Sequence, residues 1–318
     1  MNNVFISGGA GFIGSHLCAR LLRTGTKQVT VFDNFTSNNR AHESFLKNLG
    51  VRIIEQDIAK IDELCRGMEG ADTVFHLAAN PDIAKAVTQP DIDFWQGTLL
   101  AQNVFEAARR TGVSRILYTS GSGVYGEAAG VEFSEGYGPM RPISTYGASK
   151  LGCEALLCAY AHMFGVTGKA FRFANVVGPR QTHGVGFDFL RRLRADSSRL
   201  RILGDGTQNK SYIHVDDVLD AVLHVANHCT SAYEVYNVAT GDYITVKEIA
   251  DEAVRVARLS PSAVKFEFTG GDRGWKGDVP KVLFDCRKIQ ALGWRCRHTS
   301  REAIQRSLET MWDDLRES

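Results

Sequence analysis

Short apolar runs alternate with amphipathic stretches through the first half of the chain. Residues 4–7, 29–33, 51–56, 73–77 and 115–120 are brief and rich in β-branched and aromatic side chains, as strands buried on both faces are. Between them, residues 15–23, 98–110 and 145–164 repeat apolar positions at helical spacing. This alternation predicts a parallel sheet with helices on both faces. Residues 168–175 read as a further strand. After Pro179 the rhythm breaks, and Gly184, Gly186, Gly204 and Gly206 punctuate short segments. Residues 215–227 then form an amphipathic helix and residues 234–239 a strand, both expected to rejoin the first domain. The expected architecture is α/β: a doubly wound parallel sheet in residues 1–175, joined by 211–240, with a smaller C-terminal lobe built from 176–210 and 241–318.

Composition narrows this further. The chain has 318 residues, 44% of them hydrophobic, enough for a large core in one domain or two joined ones. Its net charge is +1, and its densest basic cluster, Arg191, Arg192 and Arg194, reads as a solvated helix face. Neither nucleic acid nor a membrane surface is therefore an expected partner. No apolar run approaches the length of a membrane span, and the first residues enter a strand without a basic leader, so a cytoplasmic location is expected. Seven cysteines at irregular spacings form neither a disulfide framework nor a metal pattern, and the nine histidines show no chelating spacing. Reduced thiols and no metal are expected.

The first chemical signal is Val4-Phe-Ile-Ser-Gly-Gly-Ala-Gly-Phe-Ile-Gly14, where a strand runs into Gly8, Gly9, Gly11 and Gly14 and then into a helix. Such glycines permit a tight turn and close backbone approach to a pyrophosphate, which sits on the free N–H groups of the following helix. A second strand ends at Asp33, nineteen positions after Gly14. An acidic residue there accepts hydrogen bonds from ribose hydroxyls and repels a 2′-phosphate, so NAD is expected over NADP in a Rossmann-type fold. The second signal is Ser144-Thr-Tyr-Gly-Ala-Ser-Lys150. On a helix, Tyr146 and Lys150 share one face, and the ammonium favours the ionised phenol as a proton acceptor. Together the two signals describe hydride-transfer chemistry.

The chain resembles the extended short-chain dehydrogenase/reductase family and, within it, the NAD-dependent nucleotide-sugar epimerases. The resemblance runs over nearly the whole length. It is carried by the glycine loop, Asp33-Asn34, Asp57-Ile58, His76-Leu-Ala-Ala79, Val124-Tyr-Gly126, Tyr146-x-x-x-Lys150, Arg172-x-x-Asn175, Val177-Gly-Pro179, Tyr212-Ile-His-Val-Asp-Asp217 and Asn237-Val. It implies that Gly8, Gly11, Phe12, Ile13 and Gly14 hold the pyrophosphate of NAD. Asp33, Asn34 and Ser37 would hold the adenosine ribose, Asp57 and Ile58 the adenine, and Leu77, Ala78 and Ala79 the middle of the dinucleotide. Tyr146 is the implied catalytic base, and Lys150 also bonds the nicotinamide ribose. Asn175, Asp188, Phe189, Gln208, Lys210, Arg273 and Asp278 occupy positions similar to those that grip the uridine and pyrophosphate of a UDP-sugar. The resemblance further implies a homodimer, formed through Leu99, Leu100, Val104, Phe105 and Ala108 of one helix and Leu151, Ala155, Leu156, Ala159 and Met163 of another.

Three departures stand out. The family's usual Ser or Thr three residues before Val124 is Gly121 here, so Ser122 or Ser120 supplies the hydroxyl, or Tyr146 meets the sugar directly or through a water. The family's usual pyrophosphate-binding Arg is Lys210, which keeps charge but lacks the bidentate fork. Arg273 and Lys276 are alternative phosphate ligands. Dehydratases of this family carry an acidic pair where this chain has Ser122 and Gly123. The expected activity is thus 4-epimerisation of a UDP-hexose or UDP-hexuronate through a 4-keto sugar, with Arg180, His183, Arg191 or Arg192 as candidate partners of a C6 carboxylate. A dehydratase or net oxidoreductase, and a non-catalytic NAD-binding regulator, are the alternatives.

Overall fold

Strand β1 (Asn3–Ser7) is buried from Val4 onward, and both of its edges are paired. It lies parallel between β2 (Gln28–Asp33) and β4 (Thr73–His76); β3 (Arg52–Glu55) continues beyond β2, and β5 (Arg115–Gly121) beyond β4. With β6 (Thr167–Phe173) and β7 (Tyr233–Val238) the sheet has seven strands in the order 7-6-5-4-1-2-3. The order reverses at β1, so the crevice beyond the carboxyl ends of β1 and β4 is the topological switch point where ligands of such sheets bind. The computed structural model describes every residue except Ser37, Asn38, Ala129, Trp275, Lys276, Asp278 and Ser318.

Two units divide the chain: Met1–Gly126, Pro139–Arg172 and Val222–Tyr236 form the first, and Glu127–Gly138, Phe173–Ala221 and Asn237–Ser318 the second. In the first, Phe5, Phe32, Val74, Ile116 and Tyr118 of the sheet pack with Ala101, Val104, Phe105 and Ala108 of helix α2 (Leu100–Arg110) and Cys153, Leu157 and Tyr160 of helix α3 (Thr145–Phe164). Helix α1 (Phe12–Arg23) follows the glycine loop. In the second, Leu190, Leu193, Leu200, Ile249, Ala253, Ile304 and Leu308 form a separate core. Its helix Val246–Val256 starts with a capping box, in which Thr245 and Glu248 satisfy each other's backbone N–H groups.

Two boundaries differ from the sequence reading. Residues 168–175 are not one strand: β6 stops at Phe173, and Asn175–Val177 starts afresh, pairing in parallel with Tyr212–His214 in the second unit. Of residues 211–240, 222–236 belong to the first unit, and 211–221 and 237–240 to the second. A π-helical turn, Phe94–Leu99, precedes α2, and Gly97 there admits Ser149 of α3, whose Oγ would lie 2.2 Å from a Cβ.

Candidate active site

The sharp turn after β1 depends on missing side chains. Gly8 has φ +72, and a Cβ there would lie 2.6 Å from the backbone nitrogen of Ala78; one on Gly14 would lie 2.5 Å from the carbonyl oxygen of Gly9. These contacts bring β1, the first turn of α1 and the loop after β4 together. Gly11 is the N-cap of α1 and supplies no side-chain cap, so the first-turn N–H groups at Phe12, Ile13 and Gly14 point out of the helix as an anion cradle. A dinucleotide pyrophosphate fits that donor set. Leu77 and Ala78 both donate backbone hydrogen bonds to the Ser7 carbonyl, which carries the Leu77-Ala78-Ala79 loop past the end of β1.

Asp33 is buried and braces this loop. Its Oδ2 accepts from the Ala10 N–H at 3.0 Å and its Oδ1 from the Phe35 N–H at 2.9 Å. Burial pushes its carboxyl up, and the two backbone donors partly offset that. The Asn34 side chain donates to Asp57 at 3.0 Å, which ties the loops after β2 and β3 together, and the Ile58 carbonyl accepts from Asn103. Ser37 lies outside the described residues.

Helix α3 begins at a serine cap: the Ser144 hydroxyl accepts from the Gly147 N–H, and Gly165 at φ +71 closes the other end. One turn inside, the buried Lys150 ammonium donates to the Thr119 carbonyl at 2.7 Å. It lies 5.0 Å over the Tyr118 ring and 5.5 Å over the half-buried Tyr146 ring. Tyr146 and Lys150 therefore share the helix face that the spacing demands. His76 is buried behind them; burial and the Lys150 charge push its imidazole down to about 3, so it stays neutral.

The two serine candidates are placed differently. Ser120 is buried, and its hydroxyl donates to Glu154 at 2.5 Å. Ser122 opens a short 3₁₀ turn, Ser122–Val124, and is half-buried. A Cβ on Gly147 would lie 2.3 Å from the Gly123 carbonyl oxygen, so the residues that follow Tyr146 and Ser122 touch backbone to backbone. Gly121 is extended (φ −161), and a Cβ there would meet nothing within 4 Å. Neither backbone conformation nor packing requires glycine at that position.

In the second unit, the Asn175 amide and backbone N–H both donate to the Ser211 carbonyl, at 3.2 and 3.1 Å. Asp188, in the first turn of helix α4 (Val185–Ala195), lies 3.9 Å from Arg191. Phe189 is only 3% exposed, and its side chain belongs to the apolar core, where helical periodicity turns it inward. Gln208 is 3% exposed, and both its amide atoms lack a hydrogen-bond partner among the described residues. Lys210 pairs as a short strand with Ile244–Thr245. Arg273 donates to both carboxylate oxygens of Glu127 at 2.9 Å, a contact across 146 positions with no sequence signal. Asp278, with Lys276, lies outside the described residues. Thr119, Glu154 and Arg172 were not singled out as site residues by sequence; only the alternation along β5 hinted that Thr119 and Ser120 face opposite ways. Among the described residues no cluster of His, Cys, Asp or Glu is arranged to hold a metal, no cysteines are paired, and no helix is long and apolar enough to cross a membrane.

A profile of the NAD dependent epimerase/dehydratase family matches residues 4–239. A putative UDP-glucose 4-epimerase of Methanocaldococcus jannaschii is 28% identical, the match covering 98% of this chain and 99% of that protein. Among solved structures, a UDP-galactose 4-epimerase superposes with a TM-score of 0.87 at 34% identity, covering 98% of this chain and 99% of that one. MoeE5, solved with UDP-glucuronic acid and NAD and also with UDP-glucose and NAD, superposes with a TM-score of 0.85 at 31% identity; for the glucuronic acid complex, coverage is 99% and 100%.

Proposed function

Because this chain belongs to the NAD dependent epimerase/dehydratase family, we propose that it inverts the C4 configuration of a UDP-linked hexose without net oxidation. The observation that carries the reading is the Tyr146 phenol beside the Lys150 ammonium, at the switch point of a sheet whose glycine loop fits a dinucleotide. Gly8, Gly11, Phe12, Ile13 and Gly14 would hold the pyrophosphate, Asp33 and Asn34 the adenosine ribose, Asp57 and Ile58 the adenine, and Leu77, Ala78 and Ala79 the middle of NAD. Bound there, NAD supplies the acceptor and then the donor of the C4 hydride, so the sugar passes through a 4-ketone.

Tyr146 takes the proton of the C4 hydroxyl and returns it to the oxygen of inverted configuration. Lys150, fixed on the Thr119 carbonyl, stabilises the phenolate. A dehydratase needs a carboxylate beside the sugar. Residues 122 and 123 offer none, and Glu154, the carboxylate behind them, is locked to Arg172. Asn175, Asp188, Phe189, Gln208, Lys210, Arg273 and Asp278 are the proposed nucleotide-sugar ligands. For Arg273 this means leaving Glu127 for phosphate. We take the neutral hexose as the first substrate to assay: of the four candidate partners of a C6 carboxylate, Arg192 donates to the Arg201 carbonyl and Arg191 faces Asp188, which leaves Arg180 and His183 for a hexuronate. Incubating purified protein with NAD and, separately, UDP-glucose, UDP-galactose, UDP-glucuronate and UDP-galacturonate, then separating the nucleotide sugars, tests the reading. The 4-epimer of a hexose, with no net NADH, is expected. Net NADH, or a 4-keto-6-deoxy product, would overturn it.

Ser122 is the proposed hydroxyl between O4 and Tyr146, since that of Ser120 is committed to Glu154. Ser122→Ala should lower kcat on the order of ten- to a hundredfold. Because Gly121 has room for a side chain, Gly121→Ser should fold normally and restore part of the loss in the Ser122→Ala background. Unchanged kcat in Ser122→Ala rules the residue out.

NAD is expected to bind more tightly than NADP. Asp33→Ala should narrow that gap, and it should also weaken NAD itself, because the Ala10 N–H loses its acceptor. Titration of dinucleotide-free protein with both cofactors checks this; equal affinity in the wild type contradicts the role.

The assembly we propose is a homodimer. Phe94 and Trp95 (53% exposed), with Ala155, Ala159 and Met163 (71% exposed) on α3, leave an apolar face on the first unit. Val104, Phe105 and Ala108, in contrast, are core residues and contribute nothing to it. Light scattering at micromolar concentration should give twice the 35.0 kDa chain mass, and Met163→Glu with Trp95→Asp should give the single mass. A monomeric wild type would refute the dimer.

A further inference from the structure

Residues 121–124 carry the proposed Ser122 hydroxyl and include two glycines, Gly121 and Gly123. Left alone, such a stretch is conformationally loose. The structure pins it at both ends to one buried ion pair. At its start, the Ser120 hydroxyl donates to Glu154 Oε1 at 2.5 Å. At its end, the Tyr125 hydroxyl accepts from Arg172 Nη1 at 3.0 Å, and the guanidinium stacks 4.8 Å over the Tyr125 ring. Glu154 and Arg172 join each other through Nη2 at 2.6 Å and through Nε at 3.0 and 3.2 Å, both residues almost fully enclosed. Tyr233 adds a hydrogen bond to the Glu154 carbonyl at 3.0 Å.

Glu154 sits one turn beyond Lys150 on α3, so the clamp references the turn to the helix that carries Tyr146. Stability does not explain a buried ion pair here, because apolar side chains of similar volume commonly serve a core as well or better. A fixed geometry does, since a displacement of about 1 Å in a reacting group can cost on the order of a hundredfold in rate.

We propose that Glu154 and Arg172, with Ser120 and Tyr125 as their two grips, are positioning residues that hold Ser122 against Tyr146. The inference rests on the reading of Ser122 given above. It extends that reading to four residues that do not touch the substrate.

The test uses Tyr125→Phe and Ser120→Ala, which delete the two hydroxyls that grip the ion pair and keep both of its charged residues. Each should lower kcat roughly tenfold while the KM for the nucleotide sugar and the NAD content stay unchanged. Introduced into Ser122→Ala, the same substitutions should cost less than about twofold, because the group they position is gone. Equal fold losses in the two backgrounds would identify a general loosening and overturn the proposal, as would wild-type kcat in both single variants. The Ser122→Ala parent, assayed alone, separates the two claims. If it is impaired while both grips are dispensable, only the clamp fails. If it retains full kcat, the reading of Ser122 fails and takes the clamp with it.

Discussion

Tyr146→Phe is expected to lower turnover by about a thousandfold, within the range lost when a positioned acid–base group is removed. The substitution deletes one hydroxyl and keeps the ring beside Lys150, so the cation still has its aromatic neighbour at 5.5 Å. The Ser144 cap and the Gly147 contact that start α3 are untouched. Fold, NAD content and nucleotide-sugar affinity should therefore persist, and the loss should appear in kcat with little change in KM. Steady-state assays with a UDP-hexose, beside a measurement of bound NAD, make the comparison. Near-normal epimerisation by this variant would falsify the mechanism, since the neighbouring phenol and imidazole are not placed to replace it: Tyr118 is fully buried, and His76 is held neutral and hydrogen-bonded to Ser7.

The largest stability effect should come from Glu154→Leu. Arg172 is 2% exposed and Glu154 3%, so removing the carboxylate takes away the Glu154 charge that faces a guanidinium closed off from solvent. Breaking a buried pair in this way costs about 3–5 kcal/mol. The urea midpoint should fall sharply, and expression with it. Adding Arg172→Met removes that guanidinium and should recover most of the midpoint, because the residues interact directly and their effects are not additive. Turnover should stay depressed in the double variant, since Ser120 and Tyr125 would have lost their shared anchor. An unchanged midpoint in Glu154→Leu alone would mean that the pair carries no net stability burden, contrary to its burial.

Much of the first unit was legible because its signals are local. A strand running into Gly8, Gly11 and Gly14 has few other conformations open to it, and the contacts a Cβ would make show why. Ser144 before a helix and Gly165 after it are caps readable from neighbouring residues. Tyr146 and Lys150 share a face by helical geometry alone. The serine choice was open in sequence, because Ser120 and Ser122 share one strand parity and only the chain's change of direction after Gly121 separates them. The inward setting of the Phe189 side chain was not legible either, since an apolar residue at a matching position does not reveal which way its helix turns.

By itself, then, the amino-acid order determined the alternation of strands and helices, the dinucleotide turn and the tyrosine–lysine face, all set by interactions among residues a few positions apart. Only the tertiary structure decided where β6 ends and Asn175 begins a strand with Tyr212, that Glu154 meets Arg172 rather than solvent, and that Glu127 holds Arg273 from 146 positions away. Such pairings depend on which buried polar groups find partners once the chain has collapsed. Hydrogen-bond satisfaction of that kind is a property of the packed chain and leaves no periodicity along it.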